Sequence, residues 1–162
     1  MIGAIGLLLI FVTTTLDAHD GTMLNGVGLC ERPAEVLARF DIPIRGWDRS
    51  GYHESDFSKL DSQLIRNDGV MIWFDSRVRS VSSVDWPAIV DAFGIRFGMT
   101  EHDIVGKRGR PAATERGVHQ LDETDLTYDE LVDGLAVSYY YSLIKDRLVG
   151  MVISTHHCWS DW

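Results

Sequence analysis

Apolar positions recur along this chain in two rhythms. Alternation marks Leu135, Val137, Tyr139 and Tyr141, the pattern of a strand with one face in a core and one face available. Short apolar runs predict further strands over residues 59–65, 70–74 and 78–83 in the first half, and over 130–132, 135–143 and 148–155 in the second. Turn residues separate them, at Asn67-Asp68-Gly69, Asp75-Ser76, Asp133-Gly134 and Asp146-Arg147. Helical spacing is briefer. Pro33 opens a helix that puts Val36, Leu37 and Phe40 on one face, and Pro43 stops it. Pro87 opens a short helix over 88–93, ended by Gly94. Thr100 with Asp103 makes a capping box for a helix over 101–107, ended by Gly109 and Pro111. The nearly all-apolar start, Met1 to Val12, reads as a buried strand over residues 5–16. It feeds a hairpin at Asn25-Gly26. Residues 47–56 and 112–125 are polar and read as two long loops.

Two stretches, residues 25–43 and 93–111, repeat each other without a gap at a spacing of 68. Gly94 falls on Gly26, Ile95 on Val27, Phe97 on Leu29, Asp103 on Glu35, Ile104 on Val36, Val105 on Leu37 and Pro111 on Pro43. The matches lie on apolar positions and on Gly and Pro, where backbone shape is constrained. Each copy reads as helix, loop, then antiparallel meander. The expected fold is therefore α+β: two tandem modules, residues 1–92 with the N-terminal strand and residues 93–162, their helices packed on one face of the sheets.

Composition narrows the function. With 162 residues, 45% hydrophobic and 24% charged, the chain can bury a proper core. A net charge of -9 argues against nucleic acid, whose phosphates demand clustered Lys and Arg, and steers the protein towards a basic partner. The N-terminal apolar run is too short to span a bilayer, and no Lys or Arg precedes it as in a secretory signal. A cytoplasmic location is expected, with the periplasm as the alternative if the run is a signal peptide cleaved near Ala18. For Cys30 and Cys158, two free buried thiols are expected in a reducing compartment, and one disulfide is the alternative.

No catalytic, metal or cofactor site emerges. His156-His157-Cys158 has metal-ligand types, but neighbours on a strand point to opposite faces and cannot share one ion. Gly106-Lys107-Arg108-Gly109-Arg110 lacks the Gly-Lys-Ser/Thr ending of a phosphate loop and falls at a helix end, where the dipole favours cations. Binding features are richer. Trp47, Tyr52 and His53 interleave with Asp48, Glu54 and Asp56 in the first loop, while Asp122, Glu123, Asp125 and Asp129 crowd the second. If the modules repeat in space, the two loops form one acidic surface with aromatic anchors, as a tight protein interface uses.

The spaced pattern Gly98-Met99-Thr100, then Ile104, then Gly109 and Pro111, resembles the module shared by the β-lactamase inhibitory proteins and the small outer-membrane-assembly lipoproteins. The match covers about a dozen residues directly, and the helix-then-meander order over most of the second half. The first half departs from the pattern: Cys30-Glu31-Arg32 stands where Gly-Met-Thr belongs, and Asp41 where the Gly belongs. The resemblance implies a fold that binds other proteins and is not an enzyme. The expectation is a protein-binding protein of the inhibitor or immunity type that occludes a basic toxin or hydrolase. An exported envelope-assembly factor, and a small hydrolase using His53 and its acidic neighbours, are the alternatives.

Overall fold

The computed structural model describes residues 21–39, 62–65, 70–74, 77–84, 88–118 and 120–158. Strands β1 (Met23–Leu24) and β2 (Val27–Gly28) form a small hairpin. Its two central residues, Asn25 at φ 50° and Gly26 at φ 74°, are both left-handed, the conformation that Asn-Gly adopts most readily. Helix α1 (Pro33–Arg39) follows. The other elements are β3 (Ser62–Ile65), β4 (Val70–Phe74), β5 (Val78–Val84), α2 (Glu101–Arg108), β6 (Ala113–Arg116), β7 (Glu123–Val132), β8 (Leu135–Ile144) and β9 (Arg147–Ser154).

Among the described residues, seven strands join in one antiparallel sheet in the order β3-β4-β5-β9-β8-β7-β6. Its core face carries Val70, Ile72 and Phe74 from β4, Val78 and Val81 from β5, and Leu148, Met151 and Ile153 from β9. Alternate residues Leu135, Val137, Tyr139, Tyr141 and Leu143 of β8 and Leu126 and Tyr128 of β7 complete it. The period-two pattern that marked β8 in the sequence is this face.

The helices corrected the expected fold class. Among the described residues there are two, of seven and eight residues, against nine strands, so the protein is an antiparallel β structure and not an α+β fold with helices layered on its sheets. A helix of two turns has too little apolar face to make a layer. Of the apolar residues of α2, only Ile104 is buried. The helix expected over 88–93 is also absent. There the backbone turns tightly, because the Asp91 carboxylate accepts from the N–H groups of Phe93 (2.9 Å) and Ile95 (2.8 Å) and competes with helical bonding. The expected loop over 112–125 is partly strand, since β6 and the start of β7 pair with each other over Ala113–Arg116. The strand expected over 5–16, the loop over 47–56 and the turns at 67–69 and 75–76 lie outside the described residues.

Both helix entries share one backbone construction. Cys30 N donates to Val78 O (2.8 Å) and Val78 N to Glu31 O (2.9 Å). At the second entry Gly98 N donates to Leu148 O (3.0 Å) and Leu148 N to Met99 O (2.9 Å). Val36 and Ile104, 68 positions apart, are both buried, at 2% and 0% exposure. The hairpins that follow also correspond. Arg79 is the extra residue between the pairs Val78↔Phe74 and Ser80↔Trp73, and Val149 is the extra residue between Leu148↔Leu143 and Gly150↔Ser142. Counting from Val78 and Leu148, Ser82 and Val152 are equivalent positions, and they sit opposite each other across β5 and β9. A local two-fold axis normal to the sheet therefore passes between these two strands.

Capping differs between the helices. Thr100 Oγ1 accepts from Asp103 N (3.1 Å), and Asp103 Oδ2 accepts from Thr100 N (3.0 Å), a complete capping box. The backbone and then the hydroxyl of Thr100 hold the Asp103 carboxyl below its ordinary 3.8. The two cysteines also depart from the thiols expected of them: Cys30 and Cys158 form a disulfide.

Candidate functional site

Register places facing residues of neighbouring antiparallel strands on the same side of a sheet. On the side away from the core, one row runs Trp73, Ser80, Ser154, Ser138, Asp129 across β4, β5, β9, β8 and β7. The next runs Met71, Ser82, Val152, Tyr140, Thr127, and a third Val84, Gly150, Ser142, Asp125. Of these residues only Ser82 is buried, at 8% exposure. Trp73 and Val84 are well exposed, at 41% and 55%. The face is thus a platform with serines and a glycine around Val152 and Tyr140 in its middle, Trp73 towards one end and carboxylates at the other.

Strand β7 supplies the acidic end. Glu123, Asp125 and Asp129 alternate onto this face, while Leu126 and Tyr128 turn to the core. Asp125 accepts from Ser142 Oγ (2.5 Å) and Asp129 from Ser138 Oγ (2.6 Å), so each carboxylate is held in place by its cross-strand neighbour. Glu123 accepts from Gln120 N (3.1 Å) at the turn before the strand. Asp122 is exposed in that turn, and its carbonyl accepts from Lys145 N (3.0 Å). All four acidic residues read from the second loop therefore cluster along β7 and its entry. The first-loop set, Trp47, Asp48, Tyr52, His53, Glu54 and Asp56, lies outside the described residues. Sequence reasoning passed over Trp73. The signal was present: it follows Val70 and Ile72 at an outward position of an alternating strand.

Behind the acidic strand, on the core side, sits a buried cation. The Arg108 side chain is 1% exposed. Its guanidinium lies 3.6 Å from the Phe93 ring centre, 4.2 Å from Tyr139, 4.4 Å from Tyr128 and 5.5 Å from Tyr141. It donates to Glu130 Oε1 and to Tyr141 Oη (2.6 Å), and that phenol in turn donates to Asp91 Oδ2. The chain of charge is carboxylate, phenol, guanidinium, carboxylate. Burial, reinforced by the Asp91 charge, pushes the Tyr141 phenol far above its ordinary 10.0, so it stays protonated and can donate. Desolvation likewise raises Tyr128, whose hydroxyl donates to Gly109 O (3.0 Å). From sequence, Arg108 stands in a basic run at a helix end, where the dipole favours cations. The structure instead assigns it to joining α2 to β7, β8 and the Asp91 turn.

Other chemistry is thin. A shallow hollow of about 530 Å³ is lined by Glu101, His102, Val105, Arg116, Thr124 and Asp146. Arg116 closes on Glu101 (2.8 Å) and Thr124 (2.9 Å), so the cation there is already paired. Cys158 is consumed by its disulfide and is no metal ligand beside His156 and His157. Among the described residues no group of three or more His, Cys, Asp or Glu could hold a metal ion. No helix among them is long and apolar enough to cross a membrane. The chain matches no protein-family model, no curated protein and no solved structure.

Proposed function

We propose that this chain is a non-enzymatic protein-binding protein, most concretely an inhibitor or immunity-type protein that occludes a basic toxin or hydrolase. The observation that carries this reading is the platform with Glu123, Asp125 and Asp129 aligned at one end and Trp73 towards the other. Carboxylates fixed by Ser138 and Ser142 lose little freedom when they meet a cation, and an aromatic ring supplies apolar contact area. The net charge of -9 steers the same class of partner. The reading also draws on the resemblance of the pattern around Thr100 to the tandem module of the β-lactamase inhibitory proteins, whose sheets and loops clamp an enzyme.

The test is capture from an extract of the native host, with the retained protein identified and its activity assayed with and without this chain. Changing Asp122, Asp125 and Asp129 together to lysine should weaken retention by about tenfold or more, because like charges then face each other. Unchanged retention would remove the acidic strand from the interface.

A second reading, an exported envelope-assembly factor, draws on the Cys30–Cys158 disulfide, since such bonds persist in oxidising compartments. It places the protein outside the cytoplasm. N-terminal sequencing of the protein from its native host checks this: a mature start at or beyond His19 is expected, and an intact Met1 counts against it.

A further inference from the structure

The two helix entries pose a problem that only one of them solves with its own residues. At the second, Gly98 holds φ 81° and no atom lies within 4 Å of where a Cβ would stand. Thr100 then caps the helix and Asp103 completes the box. At the first, the same backbone hydrogen bonds are made, but Cys30 holds the left-handed conformation, at φ 66°. That region disfavours a residue with a Cβ. Arg32 stands at the capping position, and its side chain has donors but no acceptor. Only half of the box survives, as a contact of 3.4 Å from Arg32 N to Glu35 Oε2. A helix of seven residues is far shorter than one that holds by itself.

What the first entry has and the second lacks is the bond from Cys30 to Cys158. Past β9 the chain stays alongside β5, with Thr155 N donating to Arg79 O (2.9 Å) and Thr155 Oγ1 to His157 O (3.0 Å), which leads it to Cys158. Cys30 N is bonded to the same strand at Val78. We propose that the Cys30–Cys158 disulfide is a redox-sensitive latch that holds the first helix entry in the shape glycine and threonine give the second. Cys30 is the less buried of the two residues, half-buried where Cys158 is buried, so attack falls on its sulfur. A thioredoxin-type dithiol attacks Cys30, releases Cys158 as a thiol and forms a mixed disulfide. Its second thiolate then displaces Cys30, so the reductant leaves as a disulfide and the protein as two thiols. Cys30 is then free to leave the left-handed region, and α1 frays while α2 does not. This latch holds whether or not the platform binds a partner.

Hydrogen exchange of the full chain with and without dithiothreitol tests it. On reduction the amides of residues 35–39 should exchange about tenfold faster or more, while those of 101–108 stay within about threefold. Two double variants separate the latch from a general staple. Cys30→Gly with Cys158→Ala should keep α1 protected and make it indifferent to reductant, because glycine accepts the conformation unaided. Cys30→Ala with Cys158→Ala should match the reduced protein. Equal α1 exchange in both redox states would overturn the proposal. So would equal acceleration of both helices, or glycine and alanine variants that behave alike.

Discussion

Changing Arg108 to alanine should lower the stability of the protein by about 2–4 kcal/mol, somewhat under the range for a fully buried ion pair, because its partner Glu130 keeps 38% of its side chain exposed. The side chain is 1% exposed, so its guanidinium is nearly out of water, and the field of Glu130 and Asp91 is what makes that tolerable. Its removal leaves Tyr141 donating to a buried Asp91 with no cation behind it. It also opens a hole between four aromatic rings. Arg108→Lys keeps the charge but loses the planar stack and the simultaneous bonds to Glu130 and Tyr141, and should fall between the two proteins. Urea unfolding followed by tryptophan fluorescence reads both. A loss under about 1 kcal/mol for the alanine variant would mean that the cation adds little beyond its neighbours' packing.

Ile104→Ala comes next, with an expected loss of about 2–5 kcal/mol. Ile104 is wholly buried and is the one apolar core side chain of α2, so its removal leaves a cavity and loosens the helix from the sheet. Val105, beside it, is half-buried and lines the shallow hollow, so Val105→Ala should change stability by under about 1 kcal/mol. The contrast decides the matter. Equal effects at both positions would mean that α2 is held by its capping box and by Arg108, with Ile104 a minor contributor.

Much of this was legible before any coordinates. The capping box was readable because Thr100 and Asp103 act within a single turn, and the Asn25-Gly26 and Asp133-Gly134 hairpins because two residues set each turn. Alternation announced β8. By contrast, Asp91 was hidden within a run that reads as helix after Pro87, and its carboxylate overrode that local preference through bonds to Phe93 and Ile95. Residues 112–125 looked like loop because β6 has no buried face, all four of its residues being exposed. It is a strand only because β7 lies beside it.

The candidate face divides the same way. Asp122, Glu123, Asp125 and Asp129 stood out by composition, and β7 does gather them. That Trp73 looks out from the same platform required the pairing of β5 with β9, a contact between residues about seventy positions apart. The amino-acid order alone determined the short-range features: turns, caps, strand period and the recurrence around Val36 and Ile104. Each of these is settled by neighbours within a few positions. Tertiary structure decided the rest: the seven-strand order, the disulfide between residues 30 and 158, and the burial of Arg108. Those depend on which distant surfaces exclude water together, and no local pattern of residues encodes that choice.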